Sequence, residues 1–307
     1  MINRASISVN PKIIGLFIIC FVCITSFVHA ESIGGYASDY LEYGIFARSS
    51  SMGNAGRTLS GGPSAAFYNS ALLAQSNSLG LAYAYTGLLA DTSCGYFGLG
   101  STLGDWHWAV NALIIKTGGI EVHTNPLAPN FTPEGYTDAA NELYIIGLGR
   151  NFTDSLDLGL SAKFQRRGLG DSRDEIYSLD AGFLWNLGWL QIGPVFRNLL
   201  VNKTGDTSDE FKPDIDIGFQ FNIFEPLLLV VDATRLLDKP SRYYLGAEYI
   251  LLGGKQSACN LSLRGGGNEN ETSAGLGLCL GFIRIDYAYV MHNLESQHRY
   301  TFMLNWE

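Results

Sequence analysis

The first place to look for chemistry in this sequence is near its end, where His292, Ser296 and His298 fall close together with Asn293 and Glu295 between them. An imidazole beside a hydroxyl is the minimum for acyl transfer. A catalytic histidine also needs a partner held within hydrogen-bond reach. Here the candidate partners sit in a short polar run between two strand-like segments, with nothing to orient them. The pattern predicts no catalytic residues and no enzyme. His107, His123, His292 and His298 do not recur at ligand spacings with cysteines or carboxylates, so no metal and no cofactor are expected. Cys94, Cys259 and Cys279 are too few and too odd in number for a disulfide framework. Strand parity puts Cys259 and Cys279 on opposite faces.

A second set of residues is charged and recurs within alternating segments: Lys163, Asp180, Arg197, Asp216, Glu248, Arg264, Arg284, Asp286 and Arg299. Each falls on the strand face opposite an apolar row. Charges turned away from water are costly unless paired or wet. Two readings follow: a structural network of ion pairs, with Arg284 and Asp216 as one pairing, or a path for a substrate or ion. Either requires an element that gathers distant residues around one interior.

Alternation with period two supplies that element. In PDIDIGFQFNIF, Ile215, Ile217, Phe219, Phe221 and Ile223 share one face, while Asp214, Asp216, Gly218, Gln220 and Asn222 share the other. DLGLSAKFQ and RYYLGAEY behave alike. Such runs predict fourteen strands: 78–86, 92–102, 106–116, 141–152, 155–166, 175–186, 189–198, 212–223, 227–235, 241–251, 258–265, 273–280, 282–290 and 297–306. Many reach the roughly nine to eleven residues that a tilted strand needs to cross a bilayer. The even-numbered connections are mostly tight, as at Thr153-Asp154, Leu187-Gly188 and Gly281. The odd-numbered ones are mostly longer, with 117–140, 167–174 and 199–210 expected as loops. Trp106, Trp108, Trp185, Trp189 and Trp306 all fall near the tight-turn ends, as an interfacial aromatic girdle would. The fold class expected is all-β: a transmembrane antiparallel β-barrel of about fourteen strands, its apolar faces towards lipid and the nine charges towards the lumen.

The first thirty residues stand apart. Arg4 and Lys12 precede an apolar run, and Val28-His29-Ala30 offers a small-x-small cleavage site. The domain plan is therefore a signal peptide at 1–30, a plug segment at 31–77 and the barrel at 78–307. Two of the 20 Lys+Arg lie in the leader, leaving 18 against 29 Asp+Glu, or −11 for the remainder. That balance argues against nucleic acid as a partner. Outer-membrane lipid is the expected surroundings, and the bacterial outer membrane the expected location.

Before the first strand lies GGPSAAFYNSALLAQ, residues 61–75, small and helical in character. The wider segment FARSSSMGNAGRTLSGGPSAAFYNSALLAQ (46–75) resembles the N-terminal signature of the PorV/PorQ group within the FadL-like outer-membrane proteins. The residues that carry this are Arg48, Met52, Gly53, Ala55, Ser64, Ala65, Tyr68, Asn69, Ala71 and Leu72. Ser51 stands where the pattern has its first glycine, and Ser70 where it has proline. The last hairpin, DYAYVMHNLESQHRYTFMLNW, looks like that of the same group. The resemblance implies a plugged barrel with one of two roles. One is docking of exported proteins or partner subunits in secretion, which the modest loops favour. The other is a passive channel for small hydrophobic compounds such as long-chain fatty acids. Gly275, Gly277 and Gly281 form a side-chain-free stripe, and glycine within a strand often marks close approach by another backbone. Residues 61–75 are expected to pack there, with Ala71 and Leu72 near Gly277.

Overall fold

A computed structural model describes residues 44–59, 61–76, 79–88, 91–122, 135–205, 211–237, 241–254, 257–292 and 296–306. The leader at 1–30, the start of the plug segment, His123, Asn293 and Glu295 lie outside these.

Fourteen strands form one closed antiparallel barrel, each paired with its sequence neighbours and β1 with β14. They are β1 (Leu79–Gly87), β2 (Thr92–Leu103), β3 (Trp106–Val122), β4 (Gly135–Thr153), β5 (Leu156–Leu169), β6 (Ser172–Asn186) and β7 (Leu190–Gly205), followed by β8 (Asp214–Phe224), β9 (Leu227–Thr234), β10 (Arg242–Leu252), β11 (Cys259–Asn268), β12 (Glu271–Leu280), β13 (Ile283–His292) and β14 (Gln297–Trp306). The seam runs from Leu79 opposite Trp306 to Thr86 opposite Arg299, so every ladder is satisfied and no edge is left open, as a bilayer requires.

Outward residues form the apolar band: Tyr83, Phe97, Ile146, Leu160, Tyr243, Leu276 and Phe302 are all exposed. Inward positions on the same strands are small, polar or charged. This inversion of a soluble core is what alternation builds when lipid is the outer solvent. Among the described residues no helix is long and apolar enough to cross a membrane.

Strand extends into three of the expected loops. The region 167–174 is a tight hairpin, with Leu169 opposite Ser172 across Gly170-Asp171. In the region 117–140, β3 continues to Val122 and β4 begins at Gly135, while β7 runs on to Gly205 within the expected loop 199–210. Glycine, polar and charged residues interrupt the apolar rows in these extensions, so they lack the regular alternation that marks a membrane strand. Ladder pairing and cross-strand ion pairs such as Arg167 to Asp174, 2.9 Å, hold them instead.

Inside the barrel lies the plug. Its helical pieces are α1 (Ala47–Ser50), a 3-10 turn at Gly62–Ser64, α2 (Ala65–Tyr68) and a 3-10 turn at Ser70–Gln75. Pieces this short have no helical stability of their own; packing against the wall holds them. Pro63 opens one turn, and the Asn69 side chain caps another by accepting from the Ala71 amide, 3.0 Å.

Candidate functional site

The plug reaches the lumen wall on both sides. The turn at Gly62–Ser64 contacts β1 to β3, the turn at Ser70–Gln75 lies on β3 to β6, and α1 packs on β12 to β14. What lets it approach so closely is a belt of inward glycines, one on most strands: Gly149, Gly159, Gly182, Gly193, Gly218, Gly246 and Gly266, with Gly275 beyond. Along β4, β5 and β6 these pair directly, Gly149 with Gly159 and Gly159 with Gly182. A Cβ at Gly159 would overlap the Ser70–Ala71 backbone, and one at Gly246 or Gly266 would overlap Met52.

This corrects the expected seat. Gly275 meets Ser51 rather than residues 61–75, Gly277 is covered by the Arg264 guanidinium, and Gly281 is a turn residue with φ of +60° and open space around it. Ala71 lies against β5. The expectation used glycines of one strand and its turn, whereas the seat is a track of inward glycines on β4 to β8 and β10 to β12.

The motif residues divide by task. Arg48 pairs with Glu248, 2.8 Å. Met52 and Gly53 lie on β10 and β11, and the Gly53 amide donates to Ser273 Oγ, 3.1 Å. Ala55, Ala65, Ala71 and Leu72 are fully buried, and Ser64 Oγ donates to the Gly61 carbonyl, 2.6 Å. The Tyr68 hydroxyl meets Ser49 Oγ at 2.6 Å and Asn54 Oδ1 at 3.3 Å, and burial pushes its phenol up to about 12. Asn69 Nδ2 donates to the carbonyls of Arg57 and Phe183, tying both halves of the plug to β6. The departures from the motif fit their positions. Ser51 has φ of −67° and needs no glycine. Ser70 begins a 3-10 turn, where proline and serine both serve.

The nine predicted lumen charges point inward, and eight of them are buried; Arg284, near the tight-turn rim, is partly exposed. They belong to three separate clusters. In the first, an alternating row runs Lys163, Asp180, Arg197, Asp216, Arg57, Asp232. Arg197 lies 2.9 Å from Asp180 and 3.1 Å from Asp216, and Arg57 lies 3.4 Å from Asp216 and 3.6 Å from Asp232. In the second, Glu248 joins Arg48 and Arg264, and Asp286 joins Arg264 and Arg284, at 2.6–2.8 Å. In the third, Arg299 reaches Glu271 at 3.5 Å, Gln297 at 2.8 Å and Ser50 of the plug at 3.0 Å. Arg284 and Asp216, offered above as a pair, fall in different clusters.

Two members of the first cluster are missing from the sequence-based set, and both are central. Asp232 is fully buried and accepts from the backbone amides of Gly56 and Arg57, at 2.7 and 2.9 Å. Arg57 carries the plug's charge into the row, its guanidinium lying between the Tyr68 and Tyr244 rings at 5.5 and 5.4 Å. The signal for Asp232 was its parity with Val230 and Thr234, masked by a strand that begins apolar on both faces. Arg57 needed only its place two residues after Ala55 in the motif.

Opposite the charges, the wall is apolar. Ala82 and Ala84 of β1, Cys94 and Tyr96 of β2, Leu113 and Ile115 of β3, and Leu143 and Ile145 of β4 form one buried cluster with Phe46, Phe67 and Leu72 of the plug. Phe46 stands edge-on to Phe67, Tyr68 and Tyr96, at 5.5, 5.7 and 4.6 Å between centroids. The lumen is thus two-sided, apolar along β1 to β4 and charged along β5 to β14.

On the outside, Trp106, Trp108, Trp185 and Trp306 lie at the tight-turn rim with outward parity, and Trp189 lies in the turn between β6 and β7 with its ring 6.1 Å from that of Phe221. Trp306 stacks on Phe282 at 5.7 Å, and Arg150 sits over Trp106 at 5.3 Å. His298 hydrogen-bonds the Tyr287 hydroxyl, 2.8 Å, on the barrel exterior. Among the described residues no group of three His, Cys, Asp or Glu is placed to hold a metal, and Cys94, Cys259 and Cys279 are free thiols.

No family model matches the sequence, and no curated protein matches it. Solved structures do match in fold. The Ralstonia pickettii toluene transporter TbuX superposes with a TM-score of 0.58 at 13% identity, covering 86% of this chain and 98% of that one. The CymD monoaromatic hydrocarbon channel gives 0.60 at 12%, covering 89% and 99%. A Pseudomonas aeruginosa FadL homologue gives 0.56 at 11%, covering 86% and 98%. Identities this low speak for architecture alone: the chain has the closed-barrel fold shared by a toluene transporter, a monoaromatic hydrocarbon channel and a FadL homologue.

Proposed function

We propose that this protein is an outer-membrane channel for small hydrophobic compounds, with the plug seated in the transport path. The two-sided lumen carries the reading. A pore for polar solutes is lined with polar groups all round, whereas here the inner faces of β1 to β4 present Leu113, Ile115, Leu143 and Ile145 beside the plug's Phe46 and Phe67. The charged half is already paired, within the wall and with Arg48 and Arg57 of the plug. The shared fold with hydrocarbon transporters supports the same reading and lends nothing to secretion-associated docking, so membership of the PorV/PorQ group is not proposed. Export with removal of residues 1–30, and the five tryptophans as an interfacial girdle, belong to this reading.

The test is uptake of labelled toluene and oleate by cells that lack their own hydrophobic channel, with maltose as the polar control. Expression of the full chain should accelerate uptake of at least one hydrophobic probe and leave maltose unchanged. Folded protein in the outer membrane that accelerates neither probe would overturn the proposal.

A further inference from the structure

The exterior holds a built hollow at the upper edge of the apolar band, unrelated to the lumen. On β4, Asp138, Ala140 and Glu142 face outward; on β5, Arg166 and Gly168 do so; on β6, Arg173 does. Register places Glu142 opposite Arg166, Ala140 opposite Gly168 and Gly168 opposite Arg173. Gly168 has no side chain and Ala140 only a methyl, so the four charged residues ring a cavity of about 280 Å³. A Cβ at Gly168 would meet nothing closer than 3.9 Å; the backbone does not need glycine there, and the hollow does.

Immediately below, Tyr144, Phe164 and Tyr177 stack across the same three strands at 6.1 and 4.8 Å, with Ile146, Leu160 and Leu179 exposed beneath them. The Arg166 guanidinium lies over Phe164 at 5.6 Å, 3.7 Å from Glu142 and 3.3 Å from Glu175. The hollow therefore sits where a lipid's chains, running down the apolar band, would give way to its headgroup. Aromatic rings favour this depth.

The lining carries two cations and two anions, Arg166 and Arg173 against Asp138 and Glu142. A purely anionic headgroup would leave both carboxylates facing like charge. A headgroup with one phosphate and one primary ammonium satisfies both signs: guanidinium groups take phosphate oxygens through paired N–H donors, and carboxylates accept from ammonium. We infer that this hollow is a binding site for a zwitterionic phosphate–ammonium lipid headgroup of the phosphoethanolamine class. The inference rests on the barrel spanning a membrane and not on what crosses its lumen.

The test is native mass spectrometry of the full chain, released from detergent with equimolar dioleoyl phosphatidylethanolamine, phosphatidylglycerol and phosphatidylcholine. Phosphatidylethanolamine adducts should exceed each of the others several-fold, since phosphatidylcholine shares the phosphate but has no ammonium N–H. Gly168→Leu, which fills the hollow from the lipid side, should abolish that preference while the heat-modifiable mobility of the folded barrel stays unchanged. Glu142→Gln and Arg166→Gln should each weaken it. Equal retention of the three lipids overturns the site. So does a phosphatidylglycerol preference lost in Arg166→Gln but kept in Glu142→Gln, or a phosphatidylethanolamine preference that survives Gly168→Leu.

Discussion

Asp232 offers a sharp test of how the plug is held. Its carboxylate receives two backbone amides of the plug and lies 3.6 Å from the Arg57 guanidinium, with no exposure to solvent. Asp232→Ala removes all of these acceptors at once and leaves Arg57 with Asp216 alone as its carboxylate partner. Removing one member of a buried pair costs about 3–5 kcal/mol, because the other charge stays buried without full compensation. If that cost falls on the docked plug, the undocked population rises by about two to three and a half orders of magnitude, at about 1.4 kcal/mol per tenfold. The readout is a cysteine at the fully buried Ser51, in a background without the other cysteines, labelled by a soluble maleimide. Where reclosing is fast, the labelling rate follows the open population, so it should rise about a hundredfold or more. Removing the stranded cation as well, in Asp232→Ala with Arg57→Met, should bring labelling back towards the parent rate. A rise of less than threefold in the single variant, or faster labelling in the double than in the single, would refute the argument that Asp232 and Arg57 latch the plug.

Three further outcomes follow from the same geometry. Gly159→Ala puts a Cβ into the Ser70–Ala71 backbone and should lower stability by about 1–3 kcal/mol, whereas Gly95→Ala, with open space around it, should stay within about 0.5 kcal/mol; denaturant titration of heat-modifiable mobility separates them. Tyr68→Phe deletes the hydrogen bonds to Ser49 and Asn54 and should cost about 1–2 kcal/mol. Because the folded phenol is raised to about 12 from an ordinary 10, its contribution is fully present below pH 10 and fades as pH rises towards 12, so the melting temperature of Tyr68→Phe should fall less over that window than the parent's. Ile145→Thr replaces an ethyl arm of the apolar wall by a hydroxyl; it should slow hydrophobic uptake severalfold while leaving Ser51→Cys labelling unchanged.

Much of the barrel is written in alternation, because two solvents of opposite polarity act on the two faces of every strand. Leu276, Leu278 and Leu280 against Gly275 and Gly277 illustrate how directly parity reads out. Alternation fades where only water and other polar groups are present, and there the sequence misleads: Ile120 and Thr137 pair beyond a bulge at Gly118-Gly119, in a stretch that reads as loop. Inward charge was legible one residue at a time, but its partners were not. Arg264 bonds Glu248 and Asp286 because β10, β11, β12 and β13 lie side by side, and that adjacency, once the barrel is assumed, was available. The choice among nearby carboxylates depends on side-chain reach, which no spacing records. The glycine belt was visible in principle, as one inward glycine on strand after strand. Repeated glycines within a single strand, as at Gly275 and Gly277, give a stronger local signal and mask it.

The contacts of α1 with β14 bear on how the molecule is put together. The Ala47 amide donates to Thr301 Oγ1, 2.8 Å, and Ser50 receives the Arg299 guanidinium, while β14 completes the wall by pairing with β1. The first helical piece of the plug and β14 therefore meet at the joint where the ring closes. A plug seated on β4 to β13 offers the incoming last strand a template as well as a partner edge. Enclosure of the plug and closure of the barrel then become one event.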